Sequence, residues 1–412
     1  MNLKSTAFLQ EMFREYYNKG FSLSDSFPTI EQREFGFASF ESWMLRHKSF
    51  KNEEELTSFL RNFIPKDAYF SCAIYETPEA EMEKKGWLGA DLIFDIDADH
   101  IPTSCDKIHD EWICGDCGFA GKGIAPANCP ACGGEKIDVN TWPCDVCLTS
   151  AKMETMKLLD MLMQDFGFSK NEIHLFFSGH RGYHVHIESE AVRALDAVAR
   201  KEIVDYISGL GFDPSFHAGS KNGWRRTPVV SSLSLDNLGW SGRIARGVHD
   251  FILSAKEEDL VGMGLKRNVV EALLKNRKIV LRNWNDSGIL SAVKGVGPET
   301  WRKIVEFCAQ NQSAKIDTVV TTDIHRLIRL ADALHGKTGF KKVGFAISDI
   351  EDFDPFKSAV AFKKGTVSVF VSDAPEFRLG DENFGPYKKQ KVELPTAAAV
   401  LLICRDRAEV AD

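Results

Sequence analysis

The chain has no run of eighteen consecutive apolar residues among its 412 positions. That excludes a lipid-spanning helix, which needs about twenty. Its start lacks the apolar block of a secretory signal, because Met1 to Asn18 reads as an amphipathic helix carrying charges of both signs. The expected compartment is the cytoplasm, with no membrane partner. No segment repeats and none is of low complexity, which excludes solenoids and compositionally biased tails. Net positive charge is also missing: 51 Lys and Arg stand against 59 Asp and Glu, for a formal charge of −8. Any polyanion must therefore be met by local cation clusters rather than by a basic surface as a whole. At 44% hydrophobic and 27% charged, the composition is that of a soluble globular chain. Its length allows two domains or one elaborated one.

What is present is more telling. Leu92-Ile93-Phe94-Asp95-Ile96-Asp97 is a short period-2 run of β-formers and reads as a buried strand. Residues i and i+2 share one face of a strand, so Asp95 and Asp97 point the same way. Two such carboxylates repel and desolvate badly unless a cation lies between them. A hard divalent ion fits, since Mg²⁺ takes one or two carboxylates together with phosphate oxygens. Asp91 and Asp99 flank the pair and are left out of this site. The second feature follows the apolar stretch from Ile173 to Phe177: Ser178-Gly179-His180-Arg181-Gly182-Tyr183-His184-Val185-His186. Strand, double-glycine turn and return strand present Ser178, His180, Arg181 and His184 together. Arg offers a rigid donor fork for phosphate, and the glycines let backbone approach a ligand. The cluster reads as an anion site facing the metal site. His186 reads as packing.

Seven of the ten cysteines lie between positions 105 and 147. They form Cys114-x2-Cys117, Cys129-x2-Cys132 and Cys144-x2-Cys147, with Cys105 four residues before His109. Paired C-x2-C knuckles are zinc signals, because each tight turn aims two thiolates at one tetrahedral ion. The missing secretory signal argues against a disulfide framework. Cys114, Cys117, Cys129 and Cys132 make one self-contained zinc ribbon. Cys105, His109, Cys144 and Cys147 are left to close a second site around its base. With four protein ligands each, both are structural. Cys72, Cys308 and Cys404 read as core residues.

The rest of the chain reads as helix over most of residues 1–65, strands at 68–75 and 90–97, and helices at 149–166 and 191–210. Residues 230–312 are Leu-, Lys- and Glu-rich at helical spacing and read as a separate helical subdomain. Lys294-Gly295-Val296-Gly297-Pro298-Glu299-Thr300 within it resembles a helix-hairpin-helix turn, or is an ordinary helix–helix connection. Trp224-Arg225-Arg226 and Arg243-Ile244-Ala245-Arg246 are basic clusters that either track a template backbone or form solvated faces.

Together, the apolar-Asp-x-Asp strand and the Ser-Gly-x-Arg-Gly-x-His hairpin resemble the signature pair of the small catalytic subunit of archaeal and eukaryotic DNA primases. Further parts fit in order. Ile316-Asp317-Thr318 precedes His325-Arg326-Leu327-Ile328-Arg329 and then Leu334-His335-Gly336-Lys337-Thr338-Gly339. Arg33-Glu34-Phe35-Gly36-Phe37, Leu45-Arg46 and Asp352-Phe353-Asp354-Pro355-Phe356 resemble the two ends of that family. The resemblance implies a mixed α/β catalytic core over 1–229 and 313–412. A zinc-binding module over 103–148 and the α-helical subdomain over 230–312 are inserted in it. It also implies that Asp95, Asp97 and Asp317 hold two Mg²⁺ or Mn²⁺ ions. Ser178, Arg181, His184, Arg329 and His335 match triphosphate contacts, and His180 stands where the family often has a basic residue. Arg46 is assigned to the nucleotide, with Glu34 near the site. The outer Cys105, His109, Cys144 and Cys147 set matches the position of the family's zinc, and the inner ribbon is an insertion that looks archaeal. The implied partners are single-stranded DNA template, NTPs or dNTPs, and a larger primase subunit that offsets the acidic balance.

Two other readings stay open at this point. A phosphatase of the haloacid-dehalogenase type shares the apolar-strand Asp-x-Asp, but it wants Thr or Val where this chain has Asp99, and it leaves the hairpin unexplained. A non-enzymatic zinc-ribbon nucleic-acid-binding module accounts for the cysteines alone.

Overall fold

A computed structural model describes residues 2–23, 29–211, 234–282, 284 and 293–411. The cluster at Trp224, Arg225 and Arg226 lies outside them. The architecture is mixed α/β, and the chain forms two compact units. One takes in 1–156, 169–201 and 316–412; the other takes in 157–168 and 202–315.

The first unit is built on two four-stranded antiparallel sheets. One runs Leu327–Arg329, Asp67–Ser71, Phe35–Ala38, Met44–Lys48 in spatial order; the other runs Val343–Phe345, Ile173–Phe177, Gly182–Ile187, Leu92–Asp97. A single apolar cluster takes Phe35, Phe37, Ala68, Phe70 and Ile328 from the first sheet and Ile93 from the second, all essentially buried. The hairpin of the second sheet pairs Phe177 with Tyr183 and Ile173 with Ile187. Its return strand pairs with Leu92–Asp97 in a register that sets His184 opposite Asp95 and Gly182 opposite Asp97. The strand, the turn and the return strand fall where the period-2 pattern placed them. A three-stranded sheet, Ala120–Lys122, Glu111–Cys114, Ile137–Asn140, carries the cysteine module.

Several local expectations are corrected. Residues 1–65 are not mostly helical: helices occupy Leu3–Glu15 and Glu53–Phe63, while Phe35–Ala38 and Met44–Lys48 form a β-hairpin. The polar Arg33 and Glu34 ahead of this hairpin are buried in ion pairs with Asp91 and Lys85. Inward-facing charges disguised the alternation. The helix expected over 191–210 is broken into Glu190–Arg193 and Ala197–Ser208, where the Asp196 carboxylate accepts from the Ala199 N–H at 2.8 Å as a fresh N-cap. The helix expected over 149–166 runs Asp145–Gln164.

The second unit is helical in its described residues, with Gly239–Ser254, Glu257–Gly262, Arg267–Arg282 and Pro298–Gln312. Trp301, Ile304 and Val305 are buried. Lys294–Gly297 leads into the last helix, with Gly297 as N-cap and Pro298 in its first turn. Arg243 does not face a template: it is buried and paired with Asp160 and Asp165. Arg246 spends its guanidinium on the Leu235 and Asn237 carbonyls.

Candidate active site

The Leu92–Asp97 strand has Leu92, Ile93, Phe94 and Ile96 buried, while Asp95 and Asp97 stay 26% and 29% exposed. The Asp317 N–H donates to the Asp95 carbonyl at 2.8 Å and so continues the sheet edge. This one main-chain bond brings the third aspartate, 222 positions away in sequence, beside the first. Burial, then the charges of Asp97 and Asp317, push the Asp95 carboxyl up to about 7, with Arg326 pulling the other way. Burial also raises Asp97 against the pull of Arg181. Carboxylates that disfavour the ionised form of Asp95 leave a repulsion that a hard cation relieves. Two of them are held in place: Asp317 Oδ1 accepts from the Val319 N–H at 2.9 Å, and Asp97 Oδ1 accepts from the Asp99 N–H at 3.0 Å.

The Ser178–Arg181 turn is shaped by its glycines. A Cβ on Gly182 would lie 2.3 Å from the Ile96 carbonyl oxygen and 3.0 Å from Asp97 Cα, so only glycine lets the return strand approach there. Gly179 has φ +89° and faces His335. His184 sets Nε2 at 3.6 Å from Asp95 Oδ1. Arg181 is held by carboxylates. Its guanidinium is 1% exposed and pairs with Asp110 through NH1 and with Asp99 through NH2, leaving Nε 4.0 Å from Asp97 Oδ1. NH1 and NH2 of Arg181 are thus taken up by carboxylates, while Nε has no hydrogen-bond partner.

The remaining cations gather from elsewhere in the chain. The Leu327–Arg329 strand follows a short helix, Thr318–Thr322. Arg329 is 8% exposed, ion-paired with Asp67 and seated over the Tyr69 ring at 5.2 Å. Asp67 Oδ1 also accepts from the Gly336 N–H at 2.8 Å and lies 4.0 Å from His335 Nδ1. The His335 and His180 rings are 5.2 Å apart. Burial first, then Arg405, Lys337 and Arg329, hold His180 well below the ordinary histidine range. His335 is held down by burial and by Arg329. Lys337 is lowered by burial and by Arg405. The site thus sets the neutral His180 and His335 among the charges of Arg329, Lys337 and Arg405, beside a carboxylate trio; a metal-bound polyphosphate would neutralise those charges. Arg46 is held by Glu34 at 3.0 Å, and Glu34 also takes Lys85 at 3.2 Å.

The sequence analysis left Asp99 out of the site and missed Asp67, Asp110 and Arg405. Only Asp110, adjacent to His109, carried a local hint. His186 is packed as expected, against Phe176 at 4.7 Å and Lys342 Nζ at 3.3 Å. Cys72 and Cys308 are buried, and Cys404 is partly so.

The cysteines form two separate quartets. Cys114, Cys117, Cys129 and Cys132 place their sulfurs within 4.8 Å of one another, and so do Cys105, His109 Nε2, Cys144 and Cys147 as a ligand set. Sulfur–sulfur distances of 3.6 Å mark unbonded thiols. The donor sets fit tetrahedral Zn²⁺. The three aspartates do not form a comparably tight cluster: among the described residues, these two quartets are the groups that do.

A family profile described as DNA primase small subunit matches residues 137–347. The DNA primase small subunit PriS of Nitrosopumilus maritimus is 32% identical over 412 residues, covering all of both chains. That of Methanothrix thermoacetophila is 32% identical over 429 residues, and that of Methanoregula boonei is 35% identical over 430, again covering all of both chains.

Proposed function

We propose a division of roles that starts from one premise: the chain belongs to the archaeal family of DNA primase small subunits. It is a DNA-directed nucleotidyltransferase that makes primers, and this assignment disfavours both the phosphatase and the bare zinc-ribbon readings. Within that activity, Asp95, Asp97 and Asp317 hold the catalytic Mg²⁺ or Mn²⁺. When bound, such ions supply activation of a 3′-hydroxyl and charge neutralisation on the leaving pyrophosphate. The observation that carries this reading is the placement of Asp317 on Asp95 by a main-chain bond, with Asp97 on the same strand face.

Ser178, His180, His184, Arg329 and His335 receive the triphosphate of an incoming NTP or dNTP. The two glycines bring the hairpin backbone close enough for Ser178 to donate, and Asp67 aims Arg329. Arg46, steered by Glu34, takes another part of the nucleotide. Both cysteine quartets hold Zn²⁺ and act structurally. The curated relatives are named small subunits, and the chain is acidic overall. Both facts support a heterodimer with a larger subunit that helps hold single-stranded template. The described residues contain no helix long and apolar enough to cross a membrane.

The test is dinucleotide formation from free nucleotides on single-stranded DNA, with wild type and Asp97→Asn compared. The variant should lose incorporation while its circular dichroism and melting stay those of wild type. Near-normal primer synthesis by Asp97→Asn in Mg²⁺ would remove the carboxylate assignment.

A further inference from the structure

The Asp110 carboxylate lies between two centres. On one side, Asp110 Oδ1 is 2.8 Å from His109 Nδ1, while His109 Nε2 faces Cys105 Sγ at 3.5 Å and Cys147 Sγ at 3.6 Å. A histidine that donates Nδ1–H to a carboxylate presents Nε2 as a ligand in a fixed tautomer and orientation. On the other side, both Asp110 oxygens accept from Arg181 NH1, at 2.9 and 2.8 Å. The Trp142 N–H donates to Oδ1 at 2.7 Å, and Arg181 NH1 donates to the Trp142 carbonyl at 3.2 Å. Asp110 is 3% exposed and Arg181 1%. Neither can exchange its partner for water.

The far end of Arg181 reaches the metal-binding strand. NH2 pairs with Asp99, Nε has no hydrogen-bond partner and stops 4.0 Å from Asp97 Oδ1, and the Arg181 carbonyl accepts from the Ala98 N–H at 3.3 Å. Asp110 and Asp99 together take up NH1 and NH2, so Arg181 meets Asp97 only at the 4.0 Å edge of ion-pair distance. A buried arginine stripped of a bidentate partner turns to the nearest carboxylate, since an uncompensated buried charge is costly.

We propose that Asp110 and Arg181 are positioning residues that couple the Cys105/His109/Cys144/Cys147 centre to the catalytic carboxylates. Asp110 orients His109 and at the same time holds Arg181 off Asp97. This deepens the proposed assignment of Asp97 to a catalytic metal and rests on it. Because coupling between two binding sites is reciprocal, occupancy of either centre favours occupancy of the other.

The experiment uses the full chain without nucleotide. Mn²⁺ alone is titrated and followed by the electron paramagnetic resonance of the free ion, and zinc retention is measured against a competing chelator. Asp110→Asn keeps the shape and removes the charge. It should weaken Mn²⁺ binding and outer-site zinc retention together, each by roughly tenfold or more, the range seen when the carboxylate behind a metal-bound histidine is lost. Asp110→Glu, which restores the charge, should recover part of both. Undiminished Mn²⁺ affinity in Asp110→Asn, with the loss seen in Asp97→Asn, overturns the coupling and leaves the metal assignment standing. Undiminished Mn²⁺ affinity in Asp97→Asn overturns the metal assignment itself. Should Asp110→Asn not fold, the wild-type chain decides: saturating Mn²⁺ must raise the chelator concentration needed to remove one of its zinc ions. An unchanged chelator midpoint overturns the proposal.

Discussion

The Thr338 hydroxyl donates to the main-chain carbonyl of Gly179 across 2.6 Å, and this bond ties two distant glycine turns into one wall. Thr338 is 1% exposed, and its oxygen also accepts from the Phe340 N–H at 3.2 Å. His180 and His335 stand on either side of the tie. Thr338→Val keeps the shape and removes both bonds, leaving a buried carbonyl and a buried N–H without partners. The cost is about 1–3 kcal/mol for each group left unsatisfied. The nucleotide KM should rise by about tenfold as the two histidines lose their common support, with template affinity unchanged. A variant with wild-type KM and wild-type melting would show that the two turns are positioned independently.

Gly182 tests the approach of the hairpin to the Leu92–Asp97 strand. A Cβ there collides with the backbone at Ile96 and Asp97, which has no flexible end to move. Gly182→Ala should displace Asp97, cost about 1–3 kcal/mol of stability as overpacking does, and lose most incorporation activity. Wild-type Mn²⁺ dependence and melting in this variant would contradict the register that places Gly182 opposite Asp97.

How far the sequence disclosed this arrangement depends on the range of the interaction. Asp95 and Asp97 share a strand face because strands have period two, and the Ser178–Arg181 turn shows itself through Gly179 and Gly182. The C-x2-C knuckles are equally local. Ion-pair partners are not: Asp67 meets Arg329 from 262 positions away, and Asp110 meets Arg181 from 71. No spacing rule pairs them, so Arg181 reads as a free phosphate ligand until the fold shows its carboxylates. The Phe35–Ala38 and Met44–Lys48 hairpin stayed hidden because Arg33 and Glu34, charged yet buried, break the apolar signal.

Zinc content checks the module directly. The two quartets draw on different residues, so a metal-cleaned chain should retain two zinc ions. Cys117→Ser and Cys144→Ser should each lose one, and the double variant both. The outer loss should disturb the Mn²⁺ response more, because only that quartet includes His109 and reaches Asp110. One zinc in wild type would mean that one quartet is not a site; retention of two in either single variant would misassign its ligand.

Arg329 and Asp67 separate the triphosphate reading from a template reading. Arg329 projects from a strand end, fixed by the Asp67 carboxylate and the Tyr69 ring, while Asp67 also receives the Gly336 N–H beside His335. Losing one charge-assisted contact costs about 1.5–3 kcal/mol, or roughly ten- to a hundredfold in affinity. Arg329→Ala should raise the nucleotide KM by that factor. Arg329→Lys should rescue little, because a single ammonium cannot meet Asp67 and a phosphate with the same fork geometry. Asp67→Asn should raise KM less, since Arg329 stays but loses its aim. The double variant should resemble Arg329→Ala rather than the product of the two, as residues acting through one contact are not additive. Single-stranded DNA affinity should be unchanged throughout. Unaltered nucleotide kinetics with weakened strand binding would place Arg329 on the template, and the cations gathered around Asp67 would then form part of a DNA path instead of a phosphate clamp.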